Sequence, residues 1–324
     1  MLLGLPPAVR ARRELSPLIY ATLARAGRLD ALEPDTARAA RRAYLGQVAR
    51  NSRILERAAE LLDGAAARGL TLLPLKGALF ASALYPDPGE RPMSDLDLLV
   101  RPVELDRACA LFGELGLRRH FPPRARFTPR HGHDVAFTDE RDGLLIELHY
   151  RLFHELAGDA SVDRLFDRAI VAFALGARRP VPAWADHLFA VLVHAATHAF
   201  GDQPGWPFDV ALLCAHTTLD EAIAEADLRG YGVAARQAAR IAARLLPSLI
   251  TMPPEGGRQA LRARLIDLAV GKEPLAHPPA RLRSLVARAL LTDDPRDAAR
   301  EIARKLELRR VEAGERWRRA RGRG

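Results

Sequence analysis

The chain predicts an α+β fold, a small mixed β-sheet with helices before it and an α-helical domain after it. Three observations carry this. Short apolar runs bounded by turn residues are confined to residues 70–150. The segment before them is rich in Ala and Arg at helical spacing, and beyond residue 160 apolar residues recur with the helical period between loops containing Pro and Gly. The resulting division is 1–69 for N-terminal helices, 70–158 for the sheet-bearing core, 159–299 for the helical domain and 300–324 for a basic tail.

Residues 8–69 read as helical with interruptions near Gly27 and Pro34; Ile54, Leu55, Leu61 and Leu62 share a helical face, and Gly69 ends the run. A strand is expected at 71–75, a helix at 77–85, and a loop at Pro86-Asp87-Pro88-Gly89. A strand at 96–101, a helix at 103–115 closed by Gly116, and a strand at 117–121 follow. After a Pro/Arg-rich loop over 122–132, strands at 133–138 and 144–150 form a hairpin through Asp139-Glu140-Arg141-Asp142-Gly143. From 160 onward strands largely stop, and helices are read over 185–200, 207–216, 220–228, 232–246, 257–270, 279–291 and 295–312.

Composition narrows the function classes. No apolar run approaches the ~20 residues needed to span a bilayer, and the start of the chain lacks the pattern of a signal peptide. Cys109 and Cys214 alone are too few for a disulfide framework or a zinc–cysteine site, which fits a reducing cytoplasm. The net charge is +9, of which residues 300–324 (nine Arg and one Lys against four Glu) supply +6. That tail is chemically suited to RNA, DNA or an acidic surface, although a solvated, fraying helix end is the plainer reading. Arg outnumbers Lys 46 to 3, so a position that keeps Lys, such as Lys76, points to a need for a compact ammonium rather than a planar fork.

The chemistry concentrates in Arg91-Pro92-Met93-Ser94-Asp95-Leu96-Asp97-Leu98-Leu99-Val100. On a strand, residues two apart point to the same side, so Asp95 and Asp97 stand together while Leu96 and Leu98 face inward. Two carboxylates so close repel unless a cation lies between them. Mg²⁺, with Mn²⁺ as its substitute, suits carboxylate oxygens plus substrate phosphates. Metal-dependent chemistry on a nucleotide follows. A third carboxylate from another strand completes such a site, and Glu147, set among apolar residues in Leu144-Leu145-Ile146-Glu147-Leu148-His149-Tyr150, is the best placed. His149 shares the face of Glu147 and can hydrogen-bond a metal ligand or relay a proton. His133 lines the acceptor side of the cleft in this reading, whereas His194 and His198, four apart on a helix, read first as core histidines packed with Trp206 and Asp209, the alternative being that they border the substrate pocket.

Leu75-Lys76-Gly77, then Arg-x-x-Ser-Asp-Leu-Asp-Leu-Leu-Val, then Ile-Glu-Leu-His-Tyr resembles the bacterial uncharacterised nucleotidyltransferase family, within the DNA polymerase β-like superfamily. The likeness covers residues 70–155 best and extends weakly through His194, His198 and Trp206-Pro207-Phe208-Asp209-Val210. It implies transfer of an NMP group from an NTP to an acceptor hydroxyl with release of pyrophosphate, the acceptor being a small molecule, a protein or RNA. Asp95, Asp97 and Glu147 are then the metal-binding catalytic residues, and Lys76, Gly77, Arg91 and Ser94 the nucleotide-binding ones. Many relatives carry Gly-Ser before the paired aspartates; here Leu75-Lys76-Gly77-Ala78 has no serine, and Lys76 stands in for its hydroxyl. The competing expectation is a non-catalytic nucleotide-binding regulator of the same fold.

Overall fold

A computed structural model describes residues 5–120, 132–153, 160–201, 203–253, 256–271, 274–275, 286–287, 289–294, 296–297 and 303. All of the basic tail but Ala303, most of the loop over 122–132, the strand end at Phe121 and most of the helices expected over 279–291 and 295–312 lie outside those residues.

Short helices α1 (Pro7–Arg10) and α2 (Ser16–Arg25) lead into α3 (Pro34–Ala66). Pro34 opens α3 at a position where a missing N–H is harmless. Its buried stripe of Ile54, Ala58, Leu61, Leu62 and Ala65 keeps helical spacing, and Gly69 at φ +65° is the kind of left-handed stop that follows a helix end. The strands β1 (Leu73–Pro74), β2 (Asp95–Leu99), β3 (Leu117–Arg119), β4 (Asp134–Asp139) and β5 (Leu145–His149) form one sheet in the order β1-β2-β5-β4-β3. Its pairs are antiparallel except β2 with β5, so the sheet is mixed as expected. Helix α4 (Lys76–Ala83) follows β1, and α5 (Leu105–Glu114) lies between β2 and β3.

One face of the sheet carries Leu96, Leu98, Val135, Phe137, Ile146 and Leu148, packed with Ile54, Ala58 and Leu61 of α3 and Phe112 of α5 in one hydrophobic cluster. Each such large side chain removed from water contributes about 1.5–3 kcal/mol. Burying this face leaves the other to the polar residues between them. Asn51 of α3, fully buried, donates to the carbonyl of Arg91 (2.8 Å) and to that of Pro88, tying down the loop that leads into β2.

Beyond the sheet come α6 (Asp163–Asp167), a hairpin of β6 (Ile170–Ala174) and β7 (Ala177–Val181), then α7 (Trp184–Thr197), α8 (Trp206–Leu213), α9 (Leu219–Leu228), α10 (Gly232–Leu245) and α11 (Gly257–Val270). The hairpin corrects the expectation that strands largely end at 160. It turns on Leu175 (φ +53°) and Gly176 (φ +78°), two consecutive left-handed residues of the sort a tight hairpin turn requires. A leucine in that role is a weak signal, and Pro180 inside β7 argues against a strand on its face. A second hydrophobic cluster joins Leu15 just before α2 and Leu18 within it, Leu79 and Phe80 of α4, and Leu188, Phe189 and Leu192 of α7. No helix among the described residues is long and apolar enough to cross a membrane.

Candidate active site

The polar face of the sheet is built by register. In the parallel pair, Asp97 lies opposite Glu147 and Leu99 opposite His149, while Asp95, two residues earlier on β2, shares the face. In the neighbouring antiparallel pair, Asp134 lies opposite His149. Three carboxylates expected from two strands therefore share one face, and a fourth joins them.

His149 Nε2 is 2.8 Å from Asp97 Oδ1 and 3.5 Å from Glu147 Oε2. One ligand atom each from Asp97, Glu147 and His149 fit within 4.8 Å of one another. Adjacent ligands on an octahedral ion with bonds of about 2.1 Å stand roughly 3 Å apart, so the spacing of the carboxylate oxygens fits a divalent cation, with His149 hydrogen-bonded to the carboxylates that would hold it. Asp95 lies outside this closest trio. Its carboxyl is pushed up to about 6, first by burial and then by the charges of Asp97 and Glu147. That crowding is what a bound cation relieves.

Burial also works against ionisation of Asp97, but the Lys76 ammonium and the hydrogen bond from His149 outweigh it and hold the carboxyl well below the usual range. For His149, burial opposes the charged ring, yet its bonds to Asp97 and Glu147 prevail and push it up to about 9. Its Nδ1 is buried without a hydrogen-bond partner among the described residues. Asp134 is raised, chiefly by burial, and its Oδ1 is 3.1 Å from His133 Nδ1. The rings of His133 and His149 meet edge to face at 5.0 Å, which sets His133 beside the cluster.

Lys76 enters from the end of β1. Leu75 donates its backbone N–H to the carbonyl of Asp97 (3.1 Å), which brings the next residue alongside the cluster. Gly77 sits closely there: a Cβ would come 3.1 Å from Arg91 Nη1 and 3.2 Å from Met93 Sδ, so either side chain would have to shift. Arg91 is committed elsewhere: Nε and Nη2 donate to Asp209 Oδ1 and Oδ2 at 3.0 and 2.8 Å, and its guanidinium stacks over Phe80. Tyr85 donates its hydroxyl to the same Asp209 (2.8 Å). The fork of Arg91 thus ties α8 to the core, with Nη1 alone turned toward Gly77. Ser94 is exposed immediately before β2.

Two participants have no role at the site in the sequence reading, Asp134 and Asp209, and a third, His194, reads first as core. Asp134 had a signal. Asp139 donates its backbone N–H to Leu144 O across the turn (2.9 Å), and counting back along both strands from that pair sets Asp134 opposite His149. His194, read first as core, has Nδ1 3.3 Å from Lys76 Nζ; nothing local to either residue announces that contact.

Comparison with curated proteins and with solved structures yields no match. A family model does match, over residues 8–247, and takes in the sheet, the carboxylate face and helices α7 and α8. The chain belongs to the uncharacterised nucleotidyltransferase family.

Proposed function

We propose that this protein is a divalent-metal-dependent nucleotidyltransferase that moves an NMP group from an NTP to an acceptor hydroxyl, with pyrophosphate leaving. The observation that carries the reading is the register of β2 and β5, which sets Glu147 beside Asp97 on the face that also bears Asp95. Asp97 and Glu147, with Asp95 alongside, are the residues that would hold Mg²⁺ or Mn²⁺. When bound, a divalent ion offsets triphosphate charge and favours deprotonation of an acceptor hydroxyl.

The chain's own groups supply the rest. Lys76 presents an ammonium beside the carboxylates, where it can pair with a triphosphate oxygen as charge builds on the phosphorus. Gly77 permits close backbone approach at the start of α4, a helix end that favours anions. His149 orients Asp97 through its 2.8 Å bond. Ser94 and His133 flank the cluster, His133 on the acceptor side. Arg91 acts through Asp209 and Gly77, shaping the phosphate end of the cleft.

The test is incubation of the full chain with each α-labelled NTP and Mg²⁺ or Mn²⁺, with cell extract as the acceptor pool. Label transfer that disappears in Asp97→Asn, a variant of the same shape, supports the reading. Nucleotide binding without transfer or pyrophosphate release by the wild type overturns it in favour of a non-catalytic regulator.

A further inference from the structure

Lys76 is unusual in both backbone and side chain. Its φ is +38°, in the left-handed region that residues with a Cβ seldom adopt. The adjacent Gly77, packed closely against Arg91 and Met93, does not take that conformation. A lysine is left to bear the strain, and strain of this kind persists where surrounding contacts over-determine a functional position.

The side chain explains which contacts. Its Nζ reaches His194 Nδ1 at 3.3 Å, crossing from the start of α4 to the last turn of α7. An ammonium has only protons to give, so Nδ1 must be the acceptor and the ring proton must sit on Nε2. Burial, reinforced by the charges of Lys76 and His198, holds the imidazole of His194 well below its usual range and keeps that lone pair free. The ring is itself braced: His198 lies against it, tilted by 47° with centroids 4.6 Å apart.

We propose that His194 is a positioning residue for Lys76, its Nδ1 taking one ammonium proton so that the other two N–H bonds are aimed at the carboxylate cluster and at an incoming phosphate. A lysine otherwise rides on a long flexible stem and acts as a wandering point charge. With His194 in place, the helical half of the chain becomes part of the phosphate grip. The nucleotide arm of this inference rests on the nucleotidyl-transfer reading; the contact between His194 and Lys76 does not.

Two measurements on the full chain separate them. The first is calorimetric binding of α,β-methylene NTPs with Mn²⁺ to wild type, His194→Ala, His194→Gln, Lys76→Met and the double variant Lys76→Met/His194→Ala. His194→Ala should weaken binding about tenfold or more, the scale of one hydrogen bond to a charged group. His194→Gln, which keeps an acceptor, should recover most of it. In the Lys76→Met background the alanine change should add nothing, because a residue acting through another shows complete non-additivity. Additive losses overturn the proposal, since His194 then contacts the ligand or the fold independently. The second measurement needs no nucleotide. Only three lysines occur in the chain, so acylation of Lys76 by an amine-selective reagent can be followed by peptide mapping. His194→Ala should speed that reaction several-fold by releasing the ammonium from its acceptor, and His194→Gln should restore the slow rate. Unchanged reactivity in His194→Ala overturns the proposal. Altered, Gln-rescued reactivity in a protein that binds no NTP upholds His194 as the partner of Lys76 and refutes the nucleotidyl-transfer reading instead.

Discussion

Replacing Lys76 by glycine and, separately, by alanine isolates the strain at the entrance to the site. Both variants lose the ammonium beside Asp95, Asp97 and Glu147, so that electrostatic loss cancels between them. What differs is the backbone. At φ +38° an alanine still has a Cβ crowded against backbone, which in the left-handed region costs about 1–2 kcal/mol, whereas glycine has none. Glycine also frees the unfolded chain, which offsets about 0.4–1 kcal/mol of the gain. The Lys76→Gly protein should therefore be more stable than Lys76→Ala by roughly 1 kcal/mol. With a urea slope of about 3 kcal/mol/M, that is a midpoint higher by roughly 0.3 M. Equilibrium urea unfolding of both variants, with a chelator present, measures the difference. Neither variant should bind nucleotide as the wild type does, so the relaxed backbone arrives together with loss of function. If alanine proves as stable as glycine, the left-handed conformation carries no strain, and the inference from strain to function at Lys76 falls.

Other expectations follow from the same geometry. Asp209→Ala leaves the Arg91 guanidinium, only 12% exposed, without its bidentate partner, and also strips the Tyr85 hydroxyl of its acceptor. Breaking a buried pair in this way should destabilise by about 3–5 kcal/mol and lower Tm on the order of 10 °C by calorimetry; a loss below about 1 kcal/mol would show that the pair is not buried as described. His149 holds its proton more tightly folded (about 9) than unfolded (6.5), so its contribution to metal-free stability is complete below pH 6.5 and is lost as pH rises through about 9. The stability of His149→Gln should fall less over that window, and an equal decline in both proteins would remove His149 as its source. Mn²⁺ or Mg²⁺ at a hundred times its dissociation constant should stabilise the wild type by about 2.7 kcal/mol, read as a rise in Tm, and should do little for Asp97→Asn or Glu147→Gln. An equal rise in all three would place cation binding elsewhere.

How much of this site was legible in the residues alone depended on the range of the contact. Asp95 and Asp97 share a face on any strand, because the period of two is a property of the local backbone. The hairpin after 133 was legible because turn residues punctuate two alternating runs. Within that hairpin the pairing of Asp134 with His149 follows from the turn, so it was available though not drawn. Glu147 was harder. Its place beside Asp97 depends on β2 and β5 being parallel neighbours, and a parallel pair is joined by a crossover that leaves no mark at either strand. The β6–β7 hairpin was hidden by Leu175, a residue with no preference for the conformation it adopts.

The two contacts that no local pattern announces are related to each other. Lys76 to His194 and Arg91 to Asp209 each span 118 residues, one following the other at the same interval along both segments. Both run from the stretch that introduces the paired aspartates to the stretch covering the ends of α7 and α8. Neither is a chance neighbour of the other: together they fix one docking of the helical half against the carboxylate face, at two points. The buried ion pair of Arg91 and Asp209 holds that docking, because separating it strands a charge. The softer contact of Lys76 and His194 then sets the ammonium at the site. This division of labour explains why the arginine, which the motif places among nucleotide-binding residues, is turned to a carboxylate of its own chain, while Lys76, on a strained backbone, keeps its charge beside Asp97.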